Sequence, residues 1–178
     1  LDKSSSPYLL QHQSNPIHWQ EYSNEVIAYA KEMDRPVLIS IGYSTCHWCH
    51  VMAADTFSNI EIAKFMNENY ICIKVDREQR PDIDTFCMSF MQEAYGQGGW
   101  PLNVVVTPDL KPFFAATYVA SEPKHSMPGF LEIATRVLDY YEENKNEIDI
   151  YTPQNFETPK IESPELMNYV KQFDVSNF

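Results

Sequence analysis

The chain has 178 residues, and its 13 Lys and Arg face 25 Asp and Glu for a formal net charge of −12. So acidic a chain offers no basic patch to displace counterions, which argues against nucleic acid and anionic membrane surfaces as partners. A hydrophobic share of 44% with 13% aromatics suits a folded domain and excludes a disordered one, and no apolar run approaches the roughly 18 residues of a membrane helix.

Residues 1–18 carry Pro7, Pro16 and several Ser, Asn and Gln, and read as an irregular lead-in. Leu1 to Ser6 holds no apolar signal core, so the reading is cytoplasmic. Position 1 is not Met, which reads as a chain cut from something longer. A domain then spans 19–150. Trp19, Tyr22, Val26, Tyr29 and Met33 repeat near helical spacing, and Asp34-Arg35-Pro36 ends that helix because proline cannot continue it. Val37 to Ile41, short, apolar and β-branched, reads as a buried strand. The motif Cys46-His47-Trp48-Cys49-His50 follows. Ser58-Asn59-Ile60-Glu61 has capping-box spacing and predicts a helix to about Asn69, and Tyr70 to Val75 predicts a second strand.

Asp82 to Tyr95 predicts a helix with Ile83, Phe86, Cys87, Phe90, Met91 and Ala94 on one face, broken by the glycines before Trp100-Pro101. Leu102 to Thr107 and Phe113 to Val119 predict two strands joined by a loop of hairpin length. A last helix is expected from Gly129 to Ile148. Residues 151–178 read as a Pro-rich, polar extension, with a short helix opening at Ser163-Pro164-Glu165. The order gives an α/β domain with a mixed central sheet of about four to five strands flanked by helices.

The motif fits three chemistries: a Cys-x-x-Cys redox pair, a Cys-x-x-Cys-His haem attachment and most of a zinc site. Its place between a buried strand and the following helix favours the first. Unpaired N–H groups and the helix dipole there stabilise a thiolate at Cys46, and a protonated His47 adds to this. Cys49, one turn on, is then the resolving thiol. The same arrangement predicts that the Cys46 sulfur is exposed, facing a cleft bounded by Trp100-Pro101, whose X-Pro bond is a candidate for cis. Haem needs an open pocket, and zinc needs a fourth ligand beyond Cys46, Cys49 and His50, which only a folded-back His12 or His18 would supply.

His50 reads equally as a proton acceptor for a thiol and as a histidine bonded to backbone. Tyr43 and Trp48 fit an apolar substrate rim, though Tyr43 fits a core position as well. Asp76 and Arg77 follow a strand end, where α/β sites gather, and read as support residues or else as part of a solvated loop or an internal ion pair. Trp100 and Pro101 read as substrate contacts or as mere shapers of a turn. Cys72 and Cys87 read as core cysteines.

The stretches "SPYLLQHQSNPIHW", "SIGYSTCHWCHVM", "IKVDREQRPDID" and "GQGGWPLNVVVTPDLKPFFAATY" closely resemble a thioredoxin-like family that includes a spermatogenesis-associated member. The likeness covers roughly residues 6–150, and its motif positions fall on Cys46, Cys49, His50, Asp76, Arg77, Trp100 and Pro101. Where members often show His-Glu-Ser, this chain has Ala54-Asp55-Thr56. The resemblance implies a thioredoxin fold and an N-terminal piece of a longer protein, whose partner is a C-terminal helical domain similar to sugar-processing (α/α) barrels. The expected activity is thiol–disulfide exchange on protein or small-molecule disulfides, with no cofactor or metal. The alternative is a docking or zinc-binding module without turnover.

Overall fold

The computed structural model describes residues 1–151. The short helix expected at Ser163-Pro164-Glu165 lies outside the described residues.

The lead-in is more ordered than its composition suggests. Ser6 caps a helical turn, α1 (Pro7–Leu10): its hydroxyl accepts the Leu9 N–H at 3.1 Å, and Pro7 occupies the first turn, where no N–H is needed. Tyr8 and Leu9 are buried. The next helix, α2 (Asn24–Met33), starts later than the spacing from Trp19 predicts, at a cap where the Ser23 hydroxyl accepts the Val26 N–H. Trp19 is buried for a different reason. The segment before α2 runs beside a strand, where the Gln20 N–H donates to Cys72 O and the Lys74 N–H to Gln20 O, both at 2.9 Å. Burial by that contact mimics a helical repeat. Asp34, left-handed at φ 50°, closes α2. Its carboxylate accepts the Tyr141 hydroxyl at 2.6 Å and the Lys145 ammonium at 2.5 Å.

Four strands follow the expected order: β1 (Val37–Gly42), β2 (Ile71–Asp76), β3 (Leu102–Val106) and β4 (Pro112–Ala116). They form one sheet in the order β2-β1-β3-β4, with β1 and β2 parallel and the other two pairings antiparallel. Every strand residue is buried, as continuous apolar runs require when both faces are covered.

The remaining helices are α3 (His47–Ala54), α4 (Ile60–Asn69), α5 (Pro81–Tyr95) and α6 (Phe130–Asn144). The α4 cap is Asn59, whose side-chain oxygen accepts the Ile62 N–H at 3.0 Å. Ser58, expected at that position, instead donates to Ala53 O at 2.6 Å. Gly96 ends α5 at φ 74°, a conformation that favours glycine.

Strand side chains alternate between the faces. Leu38, Val105 and Phe114 meet Met66, Phe130, Ile133 and Val137 of α4 and α6, while Ile39 and Val106 meet Ile83, Phe86 and Cys87 of α5. The register pairs Leu38 with Cys72, Ser40 with Lys74 and Gly42 with Asp76. One face of the β1–β2 pair thus carries a column that grows polar toward the carboxyl ends of both strands, and the cysteine motif sits there.

Candidate functional site

Beyond Gly42 the chain turns and enters α3 at Cys46. The Cys46 side chain is the cap of that helix: its Sγ accepts the Cys49 N–H at 3.3 Å, while the Cys46 carbonyl accepts the His50 N–H at 3.2 Å. Cys46 and Cys49 are joined in a disulfide, with their Cα atoms 5.3 Å apart. The sulfur of Cys46 therefore crowns the amino end of a helix, as the motif predicts.

Its exposure does not follow the prediction. Cys46 is only 3% exposed and Cys49 1%. The cause is α1, which lies across the pair: Tyr8, Leu9, Cys46 and Cys49 form an apolar cluster of their own, with Leu1, Tyr43 and Trp100 packed against it. The lead-in is held there by a buried bond, in which the Ser6 hydroxyl donates to Asp76 Oδ2 at 2.6 Å. The other oxygen of Asp76 accepts the Glu78 N–H at 2.9 Å.

Trp100 closes a second side. The Trp100-Pro101 bond is cis, and Pro101 is buried. The indole Nε1–H donates to Asp84 Oδ1 at 2.8 Å, and the Arg77 guanidinium lies 4.1 Å from the indole ring centroid while its Nε stands 3.5 Å from Asp84 Oδ2. Tyr43 meets Trp100 edge-on at 6.1 Å. Cys46, Cys49, Tyr43, Trp100, Asp76 and Arg77 are thus gathered around one apolar nest.

Three expected site residues point elsewhere. His47 is exposed, with its ring edge-on to Trp48 at 5.2 Å. Trp48 is half-buried and leans on Tyr118 at 5.4 Å. His50 is exposed, and its Nε2 pairs with the Ser44 carbonyl at 2.7 Å, which fastens the turn before α3. The Ala54-Asp55-Thr56 segment ties the end of α3 to the chain after β4: Asp55 accepts the Ser121 N–H at 2.9 Å and its hydroxyl at 2.5 Å, and the Thr56 hydroxyl donates to Val119 O at 2.6 Å.

Among the described residues, no group of three or more His, Cys, Asp and Glu is placed to hold a metal ion. His12 does fold back with the lead-in, but its Nδ1 pairs with Asn15 Oδ1 at 2.9 Å and its ring stands edge-on to Tyr8. Burial, with the charge of Lys74 adding, pushes His12 down to about 3. Cys72 and Cys87 are free and buried, and burial pushes both thiols up to about 12.

The site contains residues that motif reading passed over. Ser6 and Tyr8 come from the lead-in, although Ser6-Pro7 carries the same cap-and-proline signature that marks Ser163-Pro164. Lys74 is 1% exposed, and its Nζ donates to Ser40 Oγ at 2.9 Å. That ammonium lies 4.5 Å from the Phe57 ring centroid and 4.8 Å from the Trp19 ring centroid. A lone cation inside an apolar strand is the signal that could have marked it.

A mixed four-stranded sheet, with a Cys-x-x-Cys disulfide capping the helix after a central strand, defines a thioredoxin-like domain. Residues 1–158 match the family model Thioredox_DsbH, described as "Protein of unknown function, DUF255", and the chain belongs to that family. It is 46% identical over 146 residues to spermatogenesis-associated protein 20 of Mus musculus, covering 82% of this chain and 18% of that protein. Uncharacterized protein B0495.5 of Caenorhabditis elegans is 46% identical over 137 residues, covering 77% of this chain and 19% of that protein. The chain thus spans less than a fifth of the length of these relatives, as expected of an N-terminal domain. Among solved structures, a thioredoxin from Thermus thermophilus superposes with a TM-score of 0.52 at 15% identity, covering 74% of this chain and 94% of that one. That likeness shows the fold.

Proposed function

We propose that this domain performs thiol–disulfide exchange through Cys46 and Cys49. The observation that carries the reading is the disulfide whose first sulfur caps α3 and accepts the Cys49 N–H. In the reduced state that N–H and the helix end favour an anionic sulfur at Cys46. A Cys46 thiolate attacks one sulfur of a substrate disulfide, the substrate S–S bond breaks, and its electron pair leaves on the departing thiolate. Cys49, losing its proton to solvent, then attacks Cys46 Sγ and releases the second substrate thiol. The net result is a reduced substrate and an oxidised pair, and the same steps run in reverse.

Trp100, held by Asp84 and Arg77, serves as the wall that a substrate segment meets. Tyr43 extends that wall, and Pro101 fixes the turn behind it. Asp76 anchors the lead-in, and His50 positions the turn before α3. His47 and Trp48 form the outer lip of the helix end. The substrates are protein or small-molecule disulfides, the compartment is cytoplasmic, and the neighbour in the full-length protein is a helical domain.

The test is a titration of the pair in glutathione buffers of graded potential, with Cys46→Ser as control. The expected result is one two-electron transition in the wild type, and loss of model-protein disulfide reduction in the variant. A pair that stays oxidised at every biological potential overturns the reading.

A second reading has one observation in its favour, the covering of both sulfurs by α1 and Trp100. It holds that the disulfide is structural and the domain docks other proteins. A disulfide that resists reduction until the fold is unfolded supports it over exchange.

A further inference from the structure

Tyr8 is the residue in this nest whose chemistry is unspent. It is 1% exposed, and its phenolic oxygen is buried without a hydrogen-bond partner. A buried hydroxyl normally finds a partner, so its isolation calls for an explanation. The hydroxyl lies beside the redox pair: a β-carbon added at Gly42 would overlap it and would also meet Cys49 Sγ at 2.7 Å. The missing side chain of Gly42 is what lets phenol and sulfur share that space. The groups facing Tyr8 from its surroundings are Asp76, Lys74 and His12. Asp76 accepts from Ser6 and from the Glu78 N–H, Lys74 lies 5.6 Å from the ring centroid and bonds Ser40, His12 bonds Asn15, and none of the three pairs with the phenol. The Cys49 sulfur shares with the hydroxyl the space over Gly42.

We propose that Tyr8 is the hydrogen-bond donor to Cys49 in the reduced state, and so sets the potential of the pair. This rests on the exchange reading. A disulfide sulfur is a poor acceptor; the thiolate formed on Cys49 as the disulfide opens is a strong one, and the Cys49 thiol of the fully reduced pair still pairs with the hydroxyl, its sulfur accepting or its S–H donating. When an incoming thiolate attacks Cys46 Sγ, the S–S bond breaks and its electron pair stays on Cys49 Sγ. The Tyr8 O–H then gains the partner it lacks in the oxidised form. The proton remains on oxygen, since burial, and next the charge of Asp76, push the phenol well above its usual range. The hydroxyl therefore stabilises the leaving sulfur and the reduced state without being consumed.

The experiment titrates wild type and Tyr8→Phe against glutathione. Tyr8→Phe removes the donor and also an unpaired polar atom from the oxidised form, and both effects favour the disulfide. The expected shift is about tenfold toward the oxidised pair, a potential about 30 mV more negative. A fluorotyrosine at position 8, a stronger donor of nearly the same shape, should move the potential the opposite way. It keeps the test open where Tyr8→Phe fails to fold. Potentials unmoved in the folded variants overturn the donor assignment while leaving exchange intact, whereas a wild-type pair that never titrates overturns both.

Discussion

Lys74 is a charge placed where charges are costly. Burial pushes its ammonium down from 10.5 to about 7, with Cys72 opposing. The hydrogen bond to Ser40 and the surrounding ring faces compensate part of that cost. Because the native lysine gives up its proton before the unfolded one does, the unfolded chain binds more protons between about pH 7 and pH 10.5. Stability from this group therefore rises with pH across that window. Cys72 and Cys87 act in the opposite sense above pH 9, since their thiols are pushed up from 9.0 to about 12 and the unfolded thiols ionise first. The clean interval runs from about pH 7 to pH 9, where wild type should gain about 2 kcal/mol. Urea midpoints of the oxidised protein measure it, and Lys74→Met should be flat. A wild type as flat as the variant would show that Lys74 stays protonated throughout.

Asp84 belongs to the same scale. It receives the Trp100 indole N–H and faces the Arg77 guanidinium, so Asp84→Ala should free the indole. Reduction of a protein disulfide should then slow several-fold, while reaction with a small thiol stays within twofold. Equal slowing of both would place Asp84 in the fold and not in the substrate wall.

Among the elements, α1 decides access to the pair. Ser6→Ala removes both the cap of α1 and the donor to buried Asp76, an expected loss of about 2 kcal/mol. More telling is the rate at which reduced Cys46 is alkylated. It should rise in Ser6→Ala as the cover loosens, and an unchanged rate would mean that Trp100 alone limits approach. Little of this was legible in the sequence. Ser6-Pro7 announces a helix start, but four residues leave no room for a repeat, and the anchor at Asp76 is 70 positions away. Trp19 misled in the other direction, since burial beside β2 imitates helical spacing. What was legible depends on local chemistry. Strands β1 to β4 are nearly unbroken apolar runs buried on both faces, α5 carries its stripe and a glycine stop, and a Cys-x-x-Cys between strand and helix puts its first sulfur at the helix end. Exposure of that sulfur depends on a distant segment, and spacing carries no such information.

At the scale of the whole molecule, the lead-in and the sheet act as one unit. Ser6, Tyr8, Trp19 and Gln20 reach β2 or the pair from outside the alternating strands and helices, so the first twenty residues are structural despite their composition. Their contact with β2 carries a further consequence. Gln20 occupies the backbone groups of Cys72 and Lys74 on the outer side of that strand. Stripped of it, the flank of β2 would present free N–H and C=O groups beside Ile71 and Ile73, a template on which a second molecule can add its own strand. A protein shortened to begin at Glu21 should therefore self-associate with rising concentration, as light scattering would report, while the longer chain stays at constant size. The peptide that shields the sulfurs from solvent would then also be the guard that keeps neighbouring molecules apart.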